Sequence, residues 1–363
     1  MTVAAAARLT PSRAVAVLGG LSVCLFVAAL LALAFGESSL DLGAALSDPA
    51  GRERLVLAEL RLPRVLLAAI IGGSLAVAGC ALQALLRNPL ADPFVLGVSG
   101  GAALGGTLSL AVGGAALATA FSSWAHATLP GPLAPVVGGL LAHSPTTIAA
   151  LLGALAASVV VYTAGRFGDR LSTYGALLAG VVFNALASAA ITFLKAMLPP
   201  ERLSDLVYWL AGALDYPEWS SVAGIALFEA LGVGLVLYFA ADLNLLSLGD
   251  EGAASLGVEV ERVRRLLFLG TSLCVAAAVA VTGLVGFVGL IVPHLLRLWL
   301  GPDQRLLLPA SAVGGAFFLV LADLLARVLF RPLGTATPVG VLTALIGGPA
   351  FLWMLRRLGK AMA

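Results

Sequence analysis

The chain has 363 residues, of which 60% are hydrophobic and only 11% are charged, and its formal net charge is +2. Soluble domains usually carry about 25% charged residues. This composition, with a mean hydropathy of +1.05, therefore excludes an ordinary soluble protein and predicts a polytopic membrane protein. The small net charge gives no reason to expect a nucleic-acid partner.

Long apolar segments fill most of the chain. A helix needs about 20 apolar residues to cross the hydrocarbon core of a bilayer, and roughly ten segments approach or exceed that length. We therefore predict a single all-α transmembrane domain over residues 1–363. The predicted spans are 14–35, 65–86, 94–118, 147–164, 174–198, 222–240, 266–284, 286–300, 306–329 and 337–355.

The first apolar segment has two interpretations. Arg8 and Arg13 precede it and Ala32-Leu33-Ala34 resembles a signal-peptidase site, which is typical of a secretory leader. However, its run of roughly 20 apolar residues exceeds the core of a leader, about 7–15 residues. We favour a retained first helix and keep a cleaved signal peptide as the alternative.

The distribution of basic residues predicts the orientation. Ten helices put both termini on the same side of the membrane. More Lys and Arg residues lie on that side than on the other, which predicts that both termini are cytoplasmic. The opposite, outer set comprises Arg52, Arg54, Arg61, Arg64, Lys195, Arg202, Arg327 and Arg331. A basic cluster on the translocated side favours an acidic partner, while short loops that merely tolerate arginine are the alternative.

Two polar stretches interrupt the apolar pattern. Residues 119–146 form a predicted outer loop that contains Trp124, His126 and His143. Residues 241–265 form a charged inner segment in which leucine and valine alternate with charges. An amphipathic cytoplasmic segment of this size favours a docking element for a soluble protein over a merely solvated loop.

The sequence carries no pattern typical of an enzyme, a metal site or a bound cofactor. It lacks the Walker A pattern for binding ATP, and it shows no catalytic pair of carboxylates and no nucleophile with a histidine partner. The cysteines Cys24, Cys80 and Cys274 lie far apart in apolar stretches, so we interpret them as small core residues. We expect no catalytic, cofactor or metal residues.

Carboxylates are nearly absent from the middles of the spans, with Glu229 and Asp323 as the exceptions. Carriers driven by a proton or sodium gradient usually need ionisable residues at membrane depth. The scarcity indicates that the energy for any transport comes from outside this chain.

Several motifs, in order along the chain, resemble those of the FecCD-type permeases, the membrane subunits of type II ABC importers for iron–siderophores, haem and cobalamin. The resemblance covers nearly the whole chain from about residue 55. The matching segments are Arg61-Leu62-Pro63-Arg64, 87–93 (Arg-Asn-Pro-Leu-Ala-Asp-Pro) with 96–102, 246–251 with 256–258, 286–297, 321–323 with Arg327, and 338–341.

The resemblance implies a type II ABC importer permease fold and a set of partners. Two ten-helix subunits would form a homodimer in the lipid of the bacterial inner membrane, with an ABC ATPase dimer on the cytoplasmic side. A periplasmic or lipid-anchored solute-binding protein would dock on the outer side. Arg61, Arg64 and Arg327 match the family's docking arginines, although Asp323 lies one turn before Arg327 and could pair with it locally.

The resemblance also implies a cytoplasmic gate and a coupling segment. Asn88 and Leu90 match one gate segment, and Thr173 and Tyr174 match a second, although family members often carry a small polar residue where Tyr174 stands. Residues 247–258 match the paired coupling helices that contact the ATPase. The coupling residues are Leu248, Gly249, Asp250, Glu251, Ala254, Leu256 and Gly257.

The implied function is ATP-driven alternating access that imports an iron chelate (a siderophore complex or haem) or cobalamin, with ATP hydrolysis in a separate subunit. Low charge in the spans fits all of these cargoes. An ion-gradient-driven secondary transporter of a small organic solute is the main alternative. A membrane scaffold without transport is a third, and it would leave the coupling segment unexplained.

Overall fold

The structure is a computed structural model that describes residues 10–36, 40, 42–48, 51–112, 145–167, 170–329 and 337–362, with 119, 123, 127 and 128 as isolated positions. Within these ranges the backbone is almost entirely helical. In chain order the helices are α1 (Pro11–Ala34), α2 (Leu42–Ser47), α3 (Arg52–Leu85), α4 (Val98–Val112), α5 (Pro145–Ala164), α6 (Thr173–Met197), α7 (Pro200–Leu210), α8 (Trp219–Tyr238), α9 (Ala240–Leu246), α10 (Asp250–Ser255), α11 (Val260–Thr282), α12 (Val288–Leu300), α13 (Gln304–Leu329) and α14 (Val339–Met362).

The long helices confirm the all-α, polytopic fold class. Among the described residues, seven helices are long and apolar enough to cross a membrane, namely α1, α3, α5, α6, α8, α11 and α13. Three shorter apolar helices, α4, α12 and α14, account for the other predicted spans. Each predicted span thus coincides with an apolar helix, while the number of helices that cross the bilayer stays a prediction.

Three local features differ from the prediction. Helix α3 begins at Arg52, well before the predicted span, because a π-helical segment, Val56–Arg61, continues it without a break. A two-stranded hairpin, β1 (Arg166–Phe167) and β2 (Arg170–Leu171), joins α5 to α6, and α7 was not predicted. Most of the predicted outer loop 119–146 lies outside the described residues.

Helix α3 forms the centre of the bundle and packs against α8, α11, α12 and α13. Its most apolar stretch is largely buried, whereas most of α1 and α6 is exposed in the single chain. The contact between α3 and α13 is close because glycines face each other: a Cβ on Gly72 would lie 2.3 Å from the carbonyl oxygen of Gly315. Small residues that allow such backbone approach are typical of helix packing in membranes.

The bundle has two polar ends. The arginine end comprises Arg61 and Arg64 of α3, Asp323 and Arg327 of α13, and the last turn of α1. The coupling end comprises the segment 86–97 and the segment 239–265. Helix α3 separates them, and at 1.5 Å per residue its path from Arg64 to Leu85 spans roughly 30 Å, which is about the thickness of a bilayer core.

Candidate functional site

Two arginines share one buried aspartate at the arginine end. Nε and Nη2 of Arg64 donate to Oδ1 of Asp323 at 3.1 and 2.9 Å. Nε of Arg327 lies 2.9 Å from Oδ2 of the same carboxylate, and the Arg64 guanidinium also lies 4.9 Å from the ring centroid of Tyr216. Asp323 is only 1% exposed, so this carboxylate joins α3 to α13 away from water.

Arg61 binds the carboxyl-terminal end of α1. Its Nη1 donates to the carbonyl oxygens of Leu33 and Ala34 at 2.8 and 2.9 Å, and Arg327 reaches the carbonyl of Ala32 at 3.4 Å. The last carbonyls of a helix have no partner within the helix and carry partial negative charge. The arginines therefore hold α1 against the rest of the bundle.

These arginines are buried, although the sequence predicted an outer basic cluster that meets an acidic partner. Arg61, Arg64 and Arg327 are 4%, 6% and 4% exposed. Their burial is possible because each guanidinium contacts a carboxylate or a carbonyl oxygen of the same chain. The local alternative for Arg327, pairing with Asp323, is the arrangement observed. Their docking role stays a prediction, and Arg52 and Arg54 are exposed basic residues at the same end.

At the coupling end, local hydrogen bonds between side chains and backbone fix the segment that joins α3 to α4. Oδ1 of Asn88 accepts from the backbone N–H of Leu90 at 3.0 Å, and Oδ1 of Asp92 accepts from the N–H of Phe94 at 2.9 Å. The second bond caps a 3₁₀ helix, Pro93–Leu96. Such side-chain bonds to the backbone two residues later fix turns, so Asn88 and Leu90 lie in a defined loop.

Helix α6 packs directly on this loop. Nδ2 of Asn184 donates to the carbonyl of Phe94 at 2.9 Å, and a Cβ on Gly180 would lie 2.3 Å from the carbonyl oxygen of Val95. Neither residue was predicted from the sequence as part of the site. A single asparagine inside an apolar span was the available signal for Asn184, because a polar side chain at membrane depth needs a partner.

The second predicted gate segment lies at the start of α6. Ser172 caps this helix and accepts from the N–H of Gly175 at 3.2 Å, and the Tyr174 side chain is 85% exposed. The side chain of Thr173 lies outside the described residues. The structure places Tyr174 on the surface of the single chain, and its gate role stays a prediction.

A pair of coupling helices was predicted over 247–258, but this range contains one short helix, α10, with a sharp break on each side. The other short helix, α9, ends before it at Leu246. Gly249 and Gly257 both adopt positive φ, +109° and +88°. Residues with a Cβ atom rarely adopt this conformation. Leu248 and Leu256, which precede these glycines, are 65% and 59% exposed, and Glu251 and Ala254 are exposed with them. This arrangement leaves both leucine side chains exposed on the surface of the chain.

Asp250 points inward and connects three elements. Its Oδ1 accepts from Nη2 of Arg264 at 2.6 Å and from Nη2 of Arg87, while Nε of Arg87 donates to the carbonyl of Leu246 at 3.0 Å. Burial opposes ionisation of Asp250, but the two guanidinium groups outweigh it and lower the pKa of this carboxyl. Asp250 therefore fixes the coupling segment to the loop after α3 and to α11.

Two grooves flank the coupling helices. One, of about 390 Å³, is lined by Asp250, Glu251, Ala254 and 258–262. The other, of about 470 Å³, lies between the end of α8 and the start of α11. The first groove is lined by four carboxyl groups and one guanidinium, and ion pairs with arginines partly neutralise Asp250, Glu259 and Glu261.

The sequence and the fold are similar to those of known transport proteins. A profile of the FecCD transport family matches residues 24–357. The hemin transport system permease protein HmuU of Yersinia pestis is 42% identical over 300 residues, which cover 82% of each chain. The cobalamin import system permease protein BtuC of Halobacterium salinarum is 40% identical over 303 residues, covering 84% of this chain and 74% of that protein.

A solved structure agrees with these similarities. The structure of a metal-chelate type ABC transporter in an inward-facing conformation superimposes with a TM-score of 0.77 and 29% identity, covering 94% of this chain and 99% of the other. The match confirms the permease fold that the motifs implied. The chain belongs to the FecCD transport family.

Proposed function

We propose that this protein is the membrane subunit of a binding-protein-dependent ABC importer that carries an iron chelate, such as a siderophore complex or haem, or cobalamin. The named relatives transport hemin and cobalamin, and another, from Escherichia coli, transports ferric dicitrate. The passage would open and close by alternating access in the inner membrane, with both termini in the cytoplasm.

One observation carries the proposal: an exposed coupling segment connected to the loop after α3. Leu248 and Leu256 project from glycine breaks, and Asp250 binds Arg87 beside Asn88. A partner that moves the coupling segment would therefore pull on the proposed gate. A scaffold or an ion-driven carrier gives no reason for this connection.

The ATPase that hydrolyses ATP is inferred to be a separate dimer that contacts Leu248, Gly249, Glu251, Ala254, Leu256 and Gly257. In this assignment Asp250 acts within the permease, because its carboxylate is occupied by Arg264 and Arg87. Apolar side chains of the ATPase would fill the space around the two leucines, as in helix-in-groove recognition.

Two copies of the chain are inferred to form the importer. In the single chain, α6 exposes a long apolar face that includes Leu178, Val182, Leu186 and Phe193. Such a face must be covered by lipid or by protein. The resemblance assigns it to a second copy around a central passage, with Tyr174 of each copy near the cytoplasmic mouth.

The binding protein is inferred to dock at the arginine end. Because Arg64 and Arg327 are buried and bound to Asp323, a docking carboxylate would have to compete with Asp323 for these guanidinium groups. Charge reversal at Arg61 and Arg64 should then weaken docking, most strongly at low salt. Unchanged affinity in those variants would remove both residues from the docking site.

The direct test is uptake by proteoliposomes that contain the permease, its ATPase and external binding protein, with haem, ferric siderophores and cobalamin as cargoes. We expect ATP-dependent uptake of one cargo class and none when the ATPase cannot hydrolyse ATP. Uptake that needs a proton gradient and no nucleotide would overturn the proposal.

A matched pair of variants tests the coupling segment separately. Leu248→Asp should abolish co-purification of the ATPase, because it puts a charge in an apolar contact. Leu55→Asp changes a leucine of similar exposure (58%) at the opposite end, and it should leave the ATPase bound. Full retention of the ATPase by Leu248→Asp would show that this segment does not form the contact.

A further inference from the structure

A buried carboxyl group whose polar neighbours are only a hydroxyl and a thiol lies in the middle of α8. Glu229 is 2% exposed, and neither of its carboxyl oxygens has a hydrogen-bond partner among the described residues. Ser74 and Cys274 are polar neighbours of this carboxyl, but the Ser74 hydroxyl donates to the carbonyl of Ile71 at 3.1 Å instead.

The carboxyl lies at the edge of an open, apolar pocket of about 350 Å³. The pocket is formed by α1, α3, α8 and α13, and Ala230, beside Glu229, is exposed at its opening. Its lining includes Leu25, Ile70, Ser74, Val233 and Ala312. This volume is within the range of small-molecule sites, which are mostly apolar with a few polar groups that fix orientation.

The electrostatics of the pocket define what could bind. Asp323, the other buried carboxylate of the spans, is bound by two arginines, whereas the lining of this pocket contains no Lys, Arg or His. A buried carboxyl beside only a neutral hydroxyl and thiol, with no cation, is costly. A ligand with a positive charge and N–H donors would remove this cost. An alcohol would lower the cost less, because it carries no charge.

The depth of Glu229 excludes a phospholipid headgroup as the partner. The residue is about ten positions from each end of α8 (Trp219–Tyr238), which is roughly 15 Å at 1.5 Å per residue. A headgroup stays at the membrane surface, so the ligand must be small and mostly apolar to reach this depth.

We propose that this pocket binds a lipophilic primary amine, whose alkyl chain packs against the apolar walls and whose amino group pairs with Glu229. The site lies between the arginine end and the coupling end and shares no residue with either. Occupancy would bridge α1, α3, α8 and α13, and would stabilise the bundle.

Thermal unfolding of the purified permease in detergent tests the proposal, with decylamine as the probe and decanol and decanoate as matched controls. We expect a saturable rise in Tm with decylamine and no comparable rise with the other two. Glu229→Gln keeps the shape of the side chain but cannot ionise, and it should weaken decylamine binding by about tenfold or more, the equivalent of roughly 1.4 kcal/mol.

A second pair of variants tests the pocket without changing the carboxyl. Ala230→Phe should block the opening and abolish the decylamine effect, whereas Ala156→Phe places the same bulk on an exposed alanine of α5 outside the lining and should leave it intact. Equal decylamine affinity in these two variants would overturn the proposal, even if Glu229→Gln failed to fold. An equal response to decanol, or none to decylamine, would overturn it as well.

Discussion

The guanidinium of Arg87 donates to the carboxylate of Asp250, although the two residues are 163 positions apart in the chain. Arg87 has a positive φ of 47°, which is uncommon for a residue with a side chain. This conformation ends α3 and directs the Arg87 side chain toward the coupling segment. The pair thus joins the proposed ATPase contact to the proposed gate by one side-chain contact.

Neutralising Asp250 should uncouple ATP hydrolysis from transport. Asp250→Asn keeps the shape of the side chain but removes the charge that holds Arg87 and Arg264. Partly exposed ion pairs contribute about 0–1 kcal/mol each, so we expect the ATP hydrolysed per cargo molecule to rise roughly two- to fivefold. The measurement is parallel ATPase and uptake assays of the reconstituted complex.

The control for this variant is Asp205→Asn, which makes the same change at an exposed residue of α7. It should leave the ratio of hydrolysis to uptake unchanged. An unaltered ratio in Asp250→Asn would show that the Arg87–Asp250 contact does not transmit motion.

Stability of the permease should depend on pH through Asp92. Burial raises the pKa of this carboxyl from 3.8 to about 6, despite the hydrogen bond from the N–H of Phe94. The folded protein therefore holds a proton that the unfolded chain loses between these pH values, so this residue's contribution to stability falls as pH rises from about 4 to about 6.

Thermal unfolding at a series of pH values checks this dependence. Asp92→Asn keeps an acceptor for the N–H of Phe94 and cannot ionise. It should unfold at a higher temperature than the wild type at pH 7.5 and should flatten the pH dependence between 4 and 6. Identical pH profiles for the two proteins would contradict the assignment.

Local sequence patterns predicted much of the fold. Long apolar runs located the apolar helices, because a helix in the bilayer needs a run of about 20 apolar residues. Gly249 and Gly257 were predicted to belong to the coupling segment, and both adopt the positive φ that favours glycine. These features depend on neighbouring residues alone, so a single sequence contains enough information for them.

Contacts between distant segments could not be predicted in this way. The exposure of Arg64 depends on where α13 places Asp323, and the role of Arg87 depends on the position of Asp250. Asn184 was identifiable as a polar residue in an apolar span, but its partner, the carbonyl of Phe94, is fixed only by the packing of α6. Side-chain chemistry alone does not specify these partners.

The packing between α3 and α12 should not tolerate a methyl group. A Cβ on Gly79 would lie 1.9 Å from the carbonyl oxygen of Gly289, so Gly79→Ala requires backbone movement and should cost about 1–3 kcal/mol or more. Gly234→Ala, in α8, meets no atom within 4 Å and should stabilise its helix by roughly 0.5–1 kcal/mol. Denaturation of both variants in detergent measures the difference, and equal stabilities would contradict the predicted close contact.

Asn184→Ala should loosen the loop after α3. The variant removes the hydrogen bond to the carbonyl of Phe94, and a bond of this kind contributes about 0.5–1.5 kcal/mol. We expect faster hydrogen exchange in peptides that cover residues 86–97, measured by mass spectrometry, with little change at the arginine end. Ser188→Ala, at an exposed position one turn later on α6, is the control, and equal exchange in the two variants would show that Asn184 does not hold the loop.

Removing the charge of Asp323 should destabilise the arginine end more than any surface change. Asp323→Asn leaves Arg64 and Arg327 buried without their counterion, and breaking a buried pair costs about 3–5 kcal/mol. Adding Arg64→Met should recover part of this loss, because it removes one of the two uncompensated charges. Unfolding temperatures of the single and double variants, with Asp205→Asn as the surface control, measure both effects. If Asp323→Asn unfolds at the temperature of the control, the shared carboxylate does not hold α3 and α13 together.

The affinity of Asp323→Asn for the binding protein is a separate test, measured at a temperature where the variant is folded. If docking carboxylates compete with Asp323 for the arginines, Asp323→Asn should bind the binding protein more tightly than the wild type. Unchanged affinity would exclude that competition.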